Sequence, residues 1–304
     1  PWRGGQWVNA GMVTNQGVEL MLYSTLVETK DFAFDLNVNM AHNVSKVKEL
    51  APEENVNYMF FNGDGNFPVK VGTRAGHKLG EIYATSLYKR NENGDIIVNE
   101  NGLPMTVTNE SEYVNKPIGN IQPKLTMSVS PTFTYKGITL SALFDMKFGG
   151  DIFSGTNRIL QAYGVADVTA PGGNREDFVV DGVISDGKGG YVPSTIAVSQ
   201  EDYWRAVSTS SGNLGIGEAN LYDATNIRLR NVSLNYSIPK SALKNTPFQQ
   251  VKLGVSCNNV WMIKSYLNGI DPESVYATST NATGFENLAA PTSRTYLFNV
   301  TLGF

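Results

Sequence analysis

The sequence is poor in the residues that build metal and catalytic centres. Among its 304 residues there is one cysteine, Cys257, which excludes an internal disulfide framework and a multi-cysteine metal site. The two histidines, His42 and His77, lie in no His-x₃-His or His-Cys spacing, so we interpret them as exposed or hydrogen-bonded side chains. Two Asn/Asp-rich segments, at 62–73 and 91–102, begin like calcium loops but lack the glutamate needed at the twelfth position. We therefore predict no cofactor, no metal and no enzymatic activity.

Two further absences narrow the class of protein. No run of about 18 apolar residues occurs, so no transmembrane helix is predicted. Lys and Arg number 24 against 28 Asp and Glu, a net charge of −4, and this balance provides no basic surface for nucleic acid. A chain of this length usually forms two domains or one large all-β unit. The polar, Gly-rich start has no initiating Met and no signal-peptide pattern, so we expect the chain to begin inside a longer protein or to have been processed.

What the sequence does contain is strict period-two alternation of apolar and polar residues. In one stretch Phe32, Phe34, Leu36, Val38 and Met40 are apolar, and the residues between them are small or polar. Such alternation is typical of β-strands with two different faces. The predicted strands lie near residues 15–28, 31–43, 124–136, 138–149, 224–239, 249–262 and 294–304.

The fifth of these strands changes phase. Ile227 and Leu229 occupy odd positions, whereas Val232 and Leu234 occupy even ones. One extra residue would restore the pattern, so we predict a β-bulge near Arg230 and Asn231.

Strand length and connection length favour a membrane barrel. The alternating runs cover about 11–14 residues, whereas soluble strands average about 5–6 and a tilted strand crosses a bilayer with about 9–11. Tight turns alternate with long connections at 44–122, 150–223 and 264–293, as short periplasmic turns alternate with extracellular loops in outer-membrane barrels. We predict an all-β fold: an antiparallel transmembrane β-barrel segment of about seven long strands with long extracellular loops.

Two other interpretations stay open at this point. A soluble all-β extracellular glycan-binding module would also alternate, but its apolar faces would meet a second sheet about 10 Å away. A complete small porin is disfavoured because bacterial single-chain barrels have even strand numbers. Seven strands also leave two edges, and unpaired backbone groups are costly in hydrocarbon. We therefore expect a piece of a larger barrel.

Several motifs, in order along the chain, resemble one family. The block from Asn226 to Pro239, NIRLRNVSLNYSIP, is similar to the RLRNVSLSYSLP signature of SusC/RagA-type TonB-linked outer-membrane transporters. Cys257 to Trp261 resembles the family's GQNLF strand end, although Asn258-Asn259-Val260 replaces QNL. Tyr266 to Glu273 resembles YxGxDPE. Further similar segments lie at 9–20, 118–123, 135–151 and 291–304.

The resemblance implies a fold, a location and partners. Such transporters have about 22 strands around a plugged lumen, and this chain would be the C-terminal third of the barrel, without the plug and the N-terminal strands. It implies import of a bulky nutrient, an oligosaccharide or a peptide, across the outer membrane of a Gram-negative, Bacteroidota-like bacterium. A SusD-like surface lipoprotein would be the partner, TonB would act through the missing N-terminal part, and outer-membrane lipid would surround the barrel.

Aromatic residues in the long loops are the candidates for ligand contact. Tyr58, Phe60 and Phe61 form an apolar cluster in a polar loop, and Tyr203 and Trp204 follow two acidic residues. Aromatic faces stack on sugar rings or peptide side chains, and loops on a rigid scaffold often carry binding residues. The alternative is that these side chains pack within the loops or against a lid protein.

The remaining motif residues have an architectural interpretation. We expect Pro272 to fix a turn between Asp271 and Glu273, and Arg228 to pair with carboxylates in the lumen, an expectation that fails if Arg228 faces lipid. Arg230 and Asn231 belong to the same family motif, without an assigned chemical role. The C-terminal Phe304 resembles the signal recognised by the barrel assembly machinery, and it is also suited to an aromatic girdle.

Overall fold

Seven long antiparallel strands form the main sheet. In a computed structural model of the chain, the described residues are 11–51, 56–61, 67–107, 116–208, 215–274 and 284–304; Asn62, Asp64 and Asn66 of the first calcium-like segment, and Asn9 and Ala10 of the first family-like segment, lie outside them. The long strands are β1 (Met12–Glu28), β2 (Phe32–Glu49), β3 (Leu125–Tyr135), β4 (Ile138–Phe148), β5 (Asn226–Ser237), β6 (Gln250–Ser265) and β7 (Thr295–Gly303). Each pairs with the next in chain order. The predicted all-β antiparallel fold class is confirmed.

The strand register keeps apolar and polar residues on separate faces. One row of directly paired residues is apolar in all of its six strands, and it consists of Phe32, Tyr135, Ile138, Tyr236, Leu253 and Val300. The neighbouring row on the other face is small or polar throughout: Ala33, Thr134, Thr139, Asn235, Gly254 and Asn299. Because side chains alternate between faces along each strand, the sheet has one apolar and one polar face.

The apolar face is open rather than packed against a second sheet. Phe298 is 82% exposed, Val300 66% and Leu20 56%. A β-sandwich would bury these side chains between its two sheets. Large exposed apolar surfaces of this kind mark contact with a membrane or a partner. The structure therefore does not have the packing that the glycan-binding sandwich requires.

The predicted β-bulge is confirmed at Arg230. On one side, Leu143 and Phe144 of β4 pair with Asn231 and Leu229, so Arg230 is the extra residue. The register with β6 shifts at the same place. The bulge puts Arg228, Arg230 and Asn231 on the polar face, while Leu229 remains on the apolar face.

The two outer strands leave the sheet open. Among the described residues, β1 pairs with β2 alone of the long strands, and β7 with β6 alone. Nearly all residues of β1 are exposed on both faces, and so are those of β7. The seven described long strands thus form an open wall and not a closed barrel.

The described residues of the long connections form short strands, helices and 3₁₀ turns. Their short strands are Tyr58–Phe60, Val69–Arg74, Glu81–Ala84, Leu87–Tyr88, Thr106–Val107, Gly119–Asn120, Asp151–Ser154, Phe178–Val179, Val183–Ser185, Tyr191–Pro193, Ala197–Val198, Leu221–Asp223 and Phe285–Glu286. Helices α1 (Gly155–Ala162) and α2 (Gln200–Ser208) lie in the second connection, and α3 (Lys240–Leu243) in the turn between β5 and β6. Short 3₁₀ turns occur at Asp167–Thr169, Pro171–Gly173 and Gly217–Asn220. No described helix is long and apolar enough to cross a membrane.

All three connections share one hydrophobic core. Phe67 from the first, Phe153 from the second and Phe285 from the third are each buried, and their ring centroids lie 5.3–6.4 Å apart. Val69, Val71, Ile82 and Ala84 complete this cluster. We call the described residues of the three long connections together the loop body. It exists because apolar residues scattered through the three connections exclude water together.

Candidate functional site

A cluster of charged residues joins the wall to the loop body. Arg228, on the polar face of β5, is 5% exposed and forms an ion pair with Asp271 from the third connection. A second oxygen of Asp271 lies 3.4 Å from the Arg228 Nη1 atom, and Glu273 lies 3.6 Å from the same atom. Arg228 thus pairs with carboxylates, as expected, and its side chain lies on the polar face of the sheet.

Arg230 forms a bidentate ion pair with the carboxylate of Glu273. Its Nη1 and Nη2 atoms each donate to one oxygen of Glu273 at 2.8 Å, the fork geometry that favours arginine over lysine. Nη2 also lies 2.6 Å from Oδ2 of Asp145 on β4, and Lys147 reaches Glu273 at 3.3 Å. The bulge at Arg230 makes this possible, because it turns a second arginine of the same strand toward the same turn.

Asp271, Pro272 and Glu273 form the turn that delivers both carboxylates. The backbone N–H of Ser274 donates to the carbonyl of Asp271 at 3.0 Å, so Pro272 occupies the second position of a β-turn, where its fixed φ is favoured. The Glu273 N–H donates to Asp271 Oδ1 at 3.0 Å. Thr292, just before β7, donates to Asp271 Oδ2 through its backbone and its hydroxyl, at 3.0 and 2.7 Å. The predicted turn at Pro272 is confirmed.

Both loop carboxyls are held in the charged form. Burial alone would raise the pKa of Asp271, but hydrogen bonds from Arg228, Thr292 and the backbone outweigh it and place that pKa well below its usual range. The hydrogen bonds from Arg230 lower the pKa of Glu273 to about 2, against the opposing effect of burial. We call Arg228, Arg230, Asp145, Lys147, Asp271 and Glu273 the wall–loop ion cluster. Its chemistry is structural, since each charge is matched by an opposite one.

Sequence reasoning missed three members of this arrangement. Asp145 and Lys147 lie within the predicted strand at 138–149, and Thr292 within the family-like segment at 291–304, but the sequence names no partner for any of them. The available signal was a pair of charges on the polar face of a long strand, where charged side chains usually have partners. Asn231, the remaining motif residue, donates to Asn258 Oδ1 at 2.7 Å across the polar face.

The first aromatic group packs largely within the loop body. The ring of Phe60 lies 5.8 Å from that of Tyr83 in an edge contact, and Phe61 packs against the shared core. Tyr58 is 50% exposed and lies 5.7 Å from Phe60. Of these three predicted ligand contacts, Tyr58 alone keeps a half-exposed side chain.

The second aromatic group lies on α2, beside a different apolar cluster. Tyr203 packs edge-on against Phe178 at 5.1 Å and against Trp204 at 5.0 Å. Trp204 donates to Gln200 at 3.0 Å and lines a cleft of about 430 Å³ between α1 and α2. Tyr163, which is 79% exposed, lines the same cleft. Tyr203 and Trp204 thus belong to a different part of the loop body from Phe60 and Phe61.

The opposite end of the wall carries the terminal aromatic residue. Phe304 is 77% exposed, and its ring lies 5.2 Å from that of Phe248 in the turn before β6. Within the described ranges, no group of three or more His, Cys, Asp or Glu side chains could hold a metal ion.

Comparison with known proteins extends this description. No family model matches the chain. The TonB-dependent receptor P3 of Formosa agariphila is 23% identical over 97% of the chain, and the TonB-dependent receptor SusC of Bacteroides thetaiotaomicron is 22% identical over 97%. The chain spans 29% and 27% of the lengths of these two relatives.

Solved structures lead to the same group. The RagAB peptide importer in its closed-closed state has a TM-score of 0.65 at 19% identity, covering 98% of this chain and 30% of that one. Its open-open state has a TM-score of 0.62 at 18% identity, covering 97% and 29%. The predicted resemblance is thereby confirmed: over nearly its whole length the chain is similar to SusC/RagA-type TonB-dependent receptors, and it has the fold of a part of their β-barrel.

Proposed function

We propose that this chain is part of an outer-membrane TonB-dependent transporter that imports a bulky nutrient, an oligosaccharide or a peptide. The observation that carries the proposal is the two-faced wall of long strands, whose apolar face is exposed and whose polar face carries Asn, Ser, Thr and paired charges. An apolar outside and a polar inside are what a barrel around a water-filled lumen requires. The similarity to receptors of this kind over 97% of the chain supports the same conclusion.

In this proposal the chain is the C-terminal part of the barrel. The open edges of β1 and β7 would pair with strands from the rest of the protein, because unpaired strand edges are not tolerated in hydrocarbon. The residues that couple to TonB, and the plug that is moved, would lie in that other part. The wall itself would be passive, and import energy would come from TonB.

The loop body is proposed to capture the nutrient together with a SusD-like surface lipoprotein. The wall–loop ion cluster holds the third connection on the wall, and the shared aromatic core holds the three connections together. Tyr58 is half-exposed and Trp204 lines the cleft between α1 and α2, so these two are the proposed ligand contacts, while Phe60, Phe61 and Tyr203 would support them. Trp204 offers an aromatic face in a cleft of a size suited to a sugar unit or a peptide side chain.

The test uses the full-length protein in its own bacterium. Deleting the gene is expected to abolish growth on one class of oligosaccharide or peptide supplied as the sole source, and a Trp204→Ala variant is expected to need more nutrient for half-maximal growth. Lys188→Ala, a change at an exposed loop position, is the control. Recovery of the protein in the soluble fraction, or unchanged growth of the deletion strain on every oligosaccharide and peptide mixture, would refute the proposal.

Partner and energy source need separate measurements. Affinity purification of the full-length protein from detergent-solubilised membranes is expected to recover one surface lipoprotein in stoichiometric amount. Uptake of the identified nutrient should stop when the proton gradient is dissipated, because the wall has no energy source of its own. Uptake that persists without the gradient would contradict TonB coupling.

A further inference from the structure

We propose that the cleft between α1 and α2 selects nutrients that carry a carboxylate group, and that Arg175 binds this group. The proposal rests on the import function proposed above and adds a substrate class to it. The cleft has a volume of about 430 Å³, and a second hollow of about 580 Å³ adjoins it. Gly164 and Arg175 line both spaces, so one extended ligand can occupy both and pass Arg175.

Arg175 is held at the junction of the two spaces by one backbone contact. The residue is exposed, and its Nη2 atom donates to the carbonyl of Gly164 at 2.7 Å. Gly164 has a φ of +68°, and a Cβ added there would lie 3.7 Å from both Nη atoms of Arg175, so the guanidinium lies against the backbone of this residue. The contact uses one of the five N–H donors of a guanidinium and leaves four for a ligand.

The positive charge of Arg175 is the unbalanced charge of the cleft. The other two charged residues of its lining, Glu201 and Arg205, pair with each other at 3.0 Å. In the part of the chain that the structure describes, Arg175 forms no ion pair with a carboxylate. Asp167 lines the second hollow and not the cleft, so a ligand carboxylate is expected on the cleft side of Arg175. There the planar fork of the guanidinium can bind both oxygens of the carboxylate.

Two buried amides add hydrogen-bond donors to the same lining. Gln161 and Gln200 are 4% and 7% exposed and both line the cleft. Their oxygens are occupied, because Ser208 donates to Gln161 Oε1 at 2.6 Å and Trp204 donates to Gln200 Oε1 at 3.0 Å. Each amide nitrogen donates one hydrogen bond, at 3.4 Å, and has a second N–H. A lining rich in donors suits a group that only accepts hydrogen bonds, as an ionised carboxylate does.

Two aromatic rings beside Arg175 can contact the rest of the ligand. Trp204 and Tyr163 both line the cleft, and Tyr163 is 79% exposed. In nutrients of the proposed kind, a carboxylate occurs on the uronic-acid units of oligosaccharides and on the acidic side chains and C-termini of peptides. The carboxylate is the chemistry that these two sources share, and the experiment separates them.

The experiment is isothermal titration calorimetry of the full-length protein in detergent with two matched pairs of probes. One pair is trigalacturonic acid and the neutral galactotriose, and the other is an amidated tripeptide with a central glutamate and its glutamine counterpart. In at least one pair, we expect the acidic probe to bind about tenfold tighter than the neutral one, the effect of one hydrogen bond between charged groups. Arg175→Gln should abolish this preference. Arg175→Lys should keep part of it, because an ammonium retains the charge but not the fork.

Two further variants separate charge recognition from packing. Trp204→Ala should weaken both members of the preferred pair to a similar extent, because stacking does not depend on the carboxylate. Lys188→Gln removes an exposed positive charge of the loop body outside the cleft and is the matched control, so its preference should equal that of the wild type. If Arg175→Gln does not fold, the wild type itself supplies the test: its preference should decline as the pH falls below about 4, where free carboxyls become protonated.

Three results would overturn the proposal. They are a wild type that binds neither acidic probe better than its neutral counterpart, a preference that survives in Arg175→Gln, and a preference that stays constant down to about pH 3. The import function is tested separately, by growth of the deletion strain and by the dependence of uptake on the proton gradient. Uptake of a neutral nutrient that requires Trp204 but not Arg175 would end this proposal and leave the import function standing.

Discussion

Arg228 and Asp271 are 43 positions apart in the chain and form an ion pair whose side chains are 6% and 9% exposed. The pair connects the inner face of the wall with the turn that begins the third connection. Because that connection also contributes Phe285 to the core of the loop body, the pair links wall and loop body through one short segment.

Breaking the pair should loosen the third connection. Arg228→Met leaves Asp271 buried without its partner, which typically costs about 3–5 kcal/mol. We expect faster hydrogen exchange in residues 267–274 of the full-length protein, without loss of the long strands. The control is Arg205→Met, because the Arg205–Glu201 pair is 64% and 71% exposed and such pairs contribute less than about 1 kcal/mol. Equal protection in both variants would contradict the assignment.

The contribution of the wall–loop ion cluster to stability should be lost at acid pH. The pKa values of Asp271 and Glu273 are lowered in the folded state, Glu273 to about 2, whereas carboxyls in the unfolded chain titrate at about 4. Stabilisation is therefore complete above about pH 4 and is lost as the pH falls toward 2. The thermal unfolding midpoints of wild type and Glu273→Gln, followed by circular dichroism, should differ at pH 7 and converge near pH 2. A constant difference across this range would disprove the linkage.

The same substitution should be far more costly at one of two neighbouring residues of β7 than at the other. Phe298→Arg places a charge on the apolar face and is expected to cost about 2–4 kcal/mol on insertion into a bilayer. Asn299→Arg, one position later, points to the polar face and should cost far less. Folding yield of the full-length protein in phospholipid vesicles distinguishes the two. Similar yields for both variants would indicate that the apolar face does not contact lipid.

The terminal aromatic residue should affect assembly rather than transport. Phe304→Ala removes the ring that contacts Phe248 and the proposed assembly signal together. We expect less protein in the outer membrane, with normal uptake per molecule that is inserted. Phe248→Ala removes the same ring contact but leaves the C-terminus intact. An equal loss of inserted protein in both variants would assign Phe304 to packing alone.

The candidate site was only partly accessible from the sequence. The phase change in β5 predicted the bulge at Arg230, because an extra residue is the one local way to restore alternation. The motif residues Asp271 and Glu273 could be named, but their partners could not. The period-two alternation indicates which face a side chain occupies. Asp145 meets Arg230, and Lys147 meets Glu273, only because the sheet register and the turn at Pro272 bring them together.

Local pattern by itself determined that this chain forms long two-faced strands, since a β-strand alternates its side chains whatever surrounds it. Composition alone determined that no disulfide can form within this chain, because it has one cysteine. Only the tertiary structure decided that the three long connections share one core, and that Tyr203 packs on Phe178 while Trp204 lines a cleft. Those contacts join residues far apart in the chain, and their free energy comes from water excluded by all of the segments at once.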